Sequence, residues 1–352
     1  MSISPISESK IKVNFFQRKP HKGFSFSIEF IFNDIRKRLA DKIEAKVYLS
    51  KFYNTGYFSK IVNILEASFR QSNAVNHITG EVHFLNLLMN KNRVILTIHD
   101  CGMMLRKTGL SKKIAQWLYL SAPVKKSKTV TTVSEAAKQE VIKYTGCTPD
   151  KILVIPVAIN PLYQPYPKIF NKEKPIILHI GTGYNKNLLR LISALQGINC
   201  RLCIVGKLSK IHLAALKENN VDYTNEYDIS DKQLLEKYRE CDILSFISTS
   251  EGFGMPIIEA NAIERVVVTG NISSMPEIAM NAAYLVDPYN VEDIRSGIKN
   301  IINDDLLREK LINNGKINKL RFDGDKIANM YFELYDEIYH NSYQPHITEF
   351  TE

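Results

Sequence analysis

The stretch CDILSFISTSEGFGMPIIEA, residues 241–260, runs from an apolar segment through a glycine-containing loop into helix formers that open at Pro256. ILSFIS has the composition of a buried strand, and proline suits the first turn of a helix because no backbone donor is needed there. TSEGFGM is therefore a loop between the carboxyl end of a strand and the start of a helix, the place where open parallel sheets bind ligands. The helix start offers unpaired N–H groups and a positive dipole end to an anion, and Gly252 and Gly254 allow close backbone approach. Two carboxylates frame the loop: Glu251 at the strand end and Glu259 one turn into the helix.

An acid this close to a phosphate site repels the phosphate unless it faces hydrogen-bond donors. A ribose diol supplies two, and one carboxylate accepts both. Glu259 is read as that acceptor. Glu251 then reaches a second polyhydroxyl group on the other side of the phosphates, so that sugar, diphosphate and ribose lie in a row.

Outward from this loop, β-rich runs alternate with helical patterns: NRVILTIHD, SKTVTTVS, KPIILHIG, RLCIVG and RVVVTG. Runs this apolar, separated by helices, predict parallel sheets covered on both faces. Residues 159–175 interrupt the alternation with four prolines and read as a linker, after which a fresh strand begins. Two doubly wound α/β domains of similar size are expected, a size that the 352 residues allow. A cleft between two such sheets collects the carboxyl ends of the strands of both. The last residues, 341–352, read as a flexible tail.

The remaining composition excludes several classes. No apolar stretch of about 18 residues is present and the N-terminus lacks the order of a signal peptide, so a cytoplasmic protein is expected. Five scattered cysteines fit reduced thiols. Cys200 and Cys203 have CxxC spacing, but on a strand they point to opposite faces and do not share a metal. No H-E-x-x-H or D-x-D cluster suggests a catalytic metal, and no G-x-G-x-x-G follows a predicted strand. Charge is divided: residues 1–160 carry a net +14 and the rest a net −5. The first half is thus where an anionic partner belongs. Nucleic acid is not favoured, because no basic stretch has the interleaved aromatics of a single-strand groove.

EGFGMPIIEA resembles the E-x7-E signature of retaining nucleotide-sugar glycosyltransferases of family four, of the bacterial cell-surface polysaccharide type. LTIHD (96–100), TTVSEAAKQEVIKYTG (131–146), HIGTGYNKN (179–187), DKQLLEKYRECDILSFISTSEGFG (231–254) and NISSMPEIAMNAAYLVDPYNVEDI (271–294) follow the family's order. The resemblance implies a GT-B fold, with an acceptor-binding domain over 1–165 and a nucleotide-sugar-binding domain over 166–322. A C-terminal helix at about 323–340 would return to the first domain. It also implies a metal-independent hexosyl transfer, with retention, from a nucleotide-diphosphate sugar to a hydroxyl of a glycan or lipid-linked acceptor. No cofactor is called for beyond that co-substrate.

On the same ground Lys186, after the turn at Gly181, neutralises the donor diphosphate as the nucleotide departs. Glu251 binds the donor sugar, Glu259 the ribose, and Gly252, Phe253 and Gly254 complete the donor loop. His99 is implied to face the donor sugar and phosphate across the cleft. Lys207, at another strand end, is a candidate second phosphate contact. Asp100 reads as a cap for the following segment, and Ser274/Glu277 as a capping box.

Departures from the family pattern bear on the site. Thr182 and Asn185 stand where an arginine is common, which leaves the diphosphate clamp to Lys186. Glu264 and Arg265 stand where a glycine usually precedes the strand. Only Gly23 represents the glycine-rich loop of many relatives, and Arg18, Lys19, His21 and Lys22 are the acceptor-binding candidates there. Residues 110–128 place Trp117, Leu118, Tyr119 and Leu120 among five lysines, a pattern compatible with peripheral contact at the inner face of an anionic membrane. The rival from another class is a non-catalytic sugar-nucleotide sensor or partner subunit. Retention of Glu251, Glu259, Lys186 and His99 together argues against it.

Overall fold

The computed structural model describes residues 10–19, 27–53 and 56–341. The chain divides into two compact units. The first holds the described residues up to Val133, then Lys138–Ile155 and the chain from Gly324; the second holds Ser134–Ala137 and Pro156–Asp323.

In the first unit β1 (Ile11–Gln17), β2 (Ile43–Leu49), β3 (Val75–Ile78), β4 (Val94–Ile98), β5 (Thr129–Thr132) and β6 (Ile152–Val154) form a sheet of order β2-β1-β3-β4-β5-β6. Every pairing is parallel. Val94 to Ile98 are all buried, which is why VILTI reads as an unbroken apolar run rather than an alternation. The C-terminal helix Gly324–Asn341 packs in this unit. Tyr331 and Tyr335 are buried against Phe15, Phe32 and His77, and Tyr335 shares a 2.9 Å hydrogen bond with His77 Nδ1. Nε2 of His77 bonds Thr97 Oγ1 at 2.7 Å, so the buried imidazole has a partner on each nitrogen.

In the second unit β7 (Ile176–Ile180), β8 (Arg201–Val205), β9 (Tyr223–Glu226), β10 (Ile243–Phe246), β11 (Val266–Gly270) and β12 (Tyr284–Val286) form a second parallel sheet, of order β12-β11-β10-β7-β8-β9. Its core joins Leu191, Leu202, Ile204, Ile243, Val268 and Ile298. Strand order runs outward from β7 in one direction and from β10 in the other. The carboxyl ends of β7 and β10 therefore flank the switch point of this sheet, where its crossovers diverge and leave room for a ligand.

Both expected doubly wound sheets are present. The border between the units differs from the expected 165/166 and falls at Ile155/Pro156. The proline-rich segment belongs to the second unit because its side chains and carbonyls are engaged there. Tyr163 is buried with its ring edge-on to Tyr238 at 5.4 Å, Lys168 pairs with buried Asp242 at 2.7 Å, and the Tyr166 carbonyl accepts from Arg265. Proline content marked a segment without regular structure but not one without packing.

Candidate functional site

At the switch point of the second sheet, the loops after β7 and β10 converge. Gly181, with φ of 91°, turns the chain out of β7; a Cβ there would come within 3.0 Å of the Lys186 side chain, which lies across it. Lys186 also passes over the Phe246 ring, its ammonium 4.8 Å from the ring centre. That ammonium meets Glu251 Oε1 at 2.6 Å, with both side chains largely shielded from solvent. The Asn185 amide donates to the same oxygen at 3.2 Å and to the Ser250 carbonyl at 3.1 Å. Asn185, at a position where the family commonly has an arginine, thus holds the acid instead. Asn187 takes a left-handed backbone, φ 65°, and its amide donates to the carbonyls of Ile247 and Pro288, tying the lysine turn to the neighbouring strand end.

The helix Met255–Ile263 begins at Gly254, φ 128°, and no side chain caps it. Its first N–H groups are the kind of positive terminus that favours an anion. Glu259, on this helix, is 8% exposed, and the Tyr238 hydroxyl donates to its Oε2 at 2.6 Å. Burial pushes the Glu259 carboxyl up from 4.5 to about 7, Asp231 adds to the rise, and the Tyr238 bond opposes it. A buried acid that one hydroxyl only partly satisfies gains from further donors, as a diol would supply. Phe253 is buried edge-on to Phe322 at 5.6 Å and shapes the loop. Lys207 is exposed; its carbonyl accepts from Thr182 Oγ1 at 2.8 Å.

Several side chains that hold the loop and its neighbours were not legible in the sequence. Ser273, with left-handed φ of 59°, accepts from the Glu251 N–H at 3.1 Å and donates to its carbonyl at 2.6 Å. Ser274 donates to the carbonyls of Glu251 and Phe253. The expected Ser274/Glu277 capping box is thus not formed, because the Ser274 hydroxyl is spent on the glutamate loop. Glu277 accepts instead from the N–H groups of Glu135 and Ala136, in the short Ser134–Ala137 segment of this unit. Nothing marked Tyr238 as Glu259's partner, since it reads as an ordinary core residue on the helix Asp231–Glu240. Where a glycine was expected, Glu264 caps the Met255–Ile263 helix in a left-handed conformation. The Arg265 guanidinium is buried and donates to the carbonyls of Tyr166, Ile263, Glu264 and Arg239.

The remaining candidates lie in the first unit. Arg18 follows β1, and its guanidinium is bracketed by Glu29 at 2.7 Å and Glu81 at 2.5 Å. Its bond to Glu29 is the main reason it holds its proton more tightly than a free arginine. Two acids thus engage the charge of Arg18, the first of the acceptor-binding candidates. Lys19 is exposed, 4.9 Å over the Tyr53 ring. His21 and Lys22 lie outside the described residues. His99 Nε2 bonds the Thr79 carbonyl at 3.0 Å, and burial lowers its basicity. In the neutral ring this places the proton on Nε2 and the lone pair on Nδ1. Asp100 accepts from the Gly102 N–H at 2.8 Å, at the start of a short turn. Of the four apolar residues expected at a membrane, Leu120 is buried, Leu118 is partly buried against the core, Tyr119 packs edge-on to Phe84 at 5.4 Å, and Trp117 is exposed. All five cysteines are free. Among the described residues no helix is long and apolar enough to cross a membrane.

Two family models match in succession: Glycosyltransferase Family 4 over residues 48–161 and Glycosyl transferases group 1 over residues 165–318. Both models are of glycosyltransferases, so each half of the chain is similar to the family-four type. The chain is 29% identical over 230 residues to the O-antigen chain mannosyltransferase RfbU of Salmonella typhimurium, a match covering 62% of this chain and 63% of that one. O-antigen chain mannosyltransferase B of Escherichia coli is 25% identical over 242 residues, covering 62% and 63%. The matches thus span somewhat under two thirds of these relatives' length. Among solved structures, Anabaena HepE in complex with UDP and glucose superposes with a TM-score of 0.77 at 15% identity, over 93% of this chain and all of that one. That likeness establishes the GT-B fold.

Proposed function

We propose that the protein is a retaining hexosyltransferase that moves a sugar from a nucleotide-diphosphate donor to a hydroxyl of a glycan or lipid-linked saccharide in cell-surface polysaccharide biosynthesis. The observation that carries this reading is the convergence of Lys186, Asn185 and Glu251 beside the uncapped start of the Met255–Ile263 helix, with buried Glu259 on that helix. Relatives named as O-antigen mannosyltransferases and a fold neighbour that holds UDP and glucose support it.

In this reading the diphosphate lies against the helix start with Lys186 beside it, Glu259 accepts from the ribose diol, and Glu251 accepts from sugar hydroxyls. The bond from the anomeric carbon to the diphosphate breaks and its electron pair leaves with the nucleotide. Lys186 and the helix terminus stabilise that growing charge, a task that needs no metal ion. The acceptor oxygen then bonds to the anomeric carbon on the face the diphosphate leaves, which retains configuration. The acceptor's proton departs with the diphosphate.

The test is a panel of nucleoside diphosphates and their sugars, first by thermal shift and then by transfer to saccharide acceptors with and without EDTA. The reading expects one nucleotide to stabilise the protein and an α-donor to give an α-product by NMR, unaffected by chelation. Inverted product, or binding with no turnover on any acceptor, overturns it; the latter outcome belongs to a sugar-nucleotide sensor.

A further inference from the structure

The first sheet has one long open edge. Of the four strands that end a sheet, β6, β9 and β12 have three or four residues, a shortness that keeps an edge from recruiting another strand, but β2 has seven. Its sequence IEAKVYL holds no proline or glycine to bend it away, and Glu44, Ala45, Lys46, Val47 and Leu49 are exposed. An edge lysine often guards such a strand, but Lys46 is matched by Glu44 at 3.6 Å. Among the described residues no strand pairs with the outer side of β2.

The pairing with β1 decides which backbone groups are left over. The register runs from Ile11↔Ile43 to Gln17↔Leu49, the Ile11 N–H donates to the Lys42 carbonyl, and the Ser50 N–H donates to the Gln17 carbonyl. Alternate residues of a parallel strand bond to the same neighbour, so the even positions from Lys42 to Ser50 serve β1. Ala45, Val47 and Leu49 therefore turn their N–H and carbonyl groups outward, as Ile43 does its carbonyl; the Ile43 N–H is held by the Leu39 carbonyl. A second β2 running antiparallel must meet this edge odd residue to odd residue, and charge chooses among the registers. With Ala45 opposite Ala45, each Glu44 faces a Lys46. A centre at Glu44 or Lys46 sets like charges face to face, which is destabilising. A centre at Ile43 needs the N–H that Leu39 holds, and one at Val47 sets Lys46 against Tyr48.

We propose that β2 is the docking edge for a second copy of this chain: two β2 strands pair antiparallel about a two-fold axis at Ala45, with Glu44 of each facing Lys46 of the other. Ala45 exchanges both backbone bonds with its counterpart, and the Val47 N–H donates to the Ile43 carbonyl of the second copy. On the face opposite the charges Val47, 42% exposed in the single chain, packs beside Ile43 of the second copy. An edge complementary to itself is what a two-fold contact requires. The contact uses no residue of the donor site and stands whether or not the protein transfers sugar.

The experiment is sedimentation velocity of the whole chain under reducing conditions, from about 1 to 200 μM, the range expected for a contact smaller than a standard interface. Wild type is expected to pass from monomer to dimer. Ala45→Pro deletes an outward N–H and spares the bonds to β1, the one setting in which a strand tolerates proline, so it should stay monomeric with unchanged circular dichroism. Glu44→Lys sets lysine against Lys46 on both sides of the axis and should weaken the dimer about tenfold or more. Lys46→Glu should weaken it likewise, although it lowers the net charge of a basic chain and so reduces general repulsion between copies. Glu44→Lys combined with Lys46→Glu restores opposite charges in the same register and should bring the dimer back. If Ala45→Pro loses its fold, the charge series alone decides. A wild type that stays monomeric, an undiminished dimer in folded Ala45→Pro, or a double variant no tighter than the single ones overturns the proposal.

Discussion

Replacing Glu259 by glutamine separates a ligand-binding acid from a structural one, because the two roles move stability and affinity in opposite directions. The carboxyl is buried and its pKa stands near 7 rather than 4.5. A group whose folded value is raised contributes stability that is fully present below its unfolded value and is lost as pH rises through the folded value. For Glu259 the loss runs from about pH 4.5 to about pH 7. At 1.36 kcal/mol per unit the full penalty of the ionised form is about 3 kcal/mol at pH 8. Glu259→Gln removes the charge and keeps an oxygen for the Tyr238 hydroxyl, so its thermal stability at pH 8 should exceed that of wild type by an amount of this order. A ribose diol, however, donates to the ionised acid, and losing such bonds costs about 1.5–3 kcal/mol, or roughly a ten- to hundredfold weaker Kd. Wild-type affinity should also fall about tenfold between pH 8 and pH 6, where only about a tenth of a group with this pKa is ionised. Glu259→Gln should lack that step, which separates it from titration of the nucleotide's own phosphate. Calorimetry and thermal melts over this pH range provide the readouts. Equal affinities for wild type and variant at pH 8, or the same pH step in both, would refute the ribose assignment.

Lys186→Ala should lower kcat by about a hundredfold or more at saturating donor, since its charge is asked to act on the leaving group; a normal kcat in a transfer assay removes it from that role. Glu251→Ala takes away the carboxylate that pairs with Lys186 at 2.6 Å, so calorimetry should find free nucleoside diphosphate bound as well or better while transfer is lost. Equal weakening toward nucleotide and sugar nucleotide would instead make Glu251 a nucleotide contact. Tyr238→Phe deletes the hydrogen bond that holds the Glu259 carboxyl down, so the midpoint of nucleotide affinity against pH should move upward, and an unmoved midpoint contradicts the coupling. Ser273→Ala loses both bonds to the Glu251 backbone and should cut kcat about tenfold with little change in melting temperature. Ser273→Gly loses the same bonds while relieving the left-handed backbone, so kinetics equal to wild type in both variants would show that the tether is idle.

The sequence by itself determined the two parallel sheets, the strand-loop-helix around Glu251 and the turn carrying Lys186. These depend on local order: apolar runs, glycines where a loop turns, and a proline at a helix start act over a few residues and can be read there. Tertiary structure decided the partners. Lys186 and Glu251 are 65 residues apart and meet because β7 and β10 are neighbours in the sheet, a pairing set by topology and not by either segment. The same holds for Tyr238 under Glu259 and for Ser273 and Ser274 on the glutamate loop, where side chains bond to whatever the crossovers bring beside them. Glu277 shows the limit most plainly. Its S-x-x-E spacing satisfies a local rule, yet its carboxylate bonds to two N–H groups more than a hundred residues away, because the Ser274 hydroxyl is already held by the carbonyls of Glu251 and Phe253. Exposure follows the same logic: Leu120 and Phe69 are equally apolar in the sequence, and only the packing of their helices sends one into the core and the other to the surface.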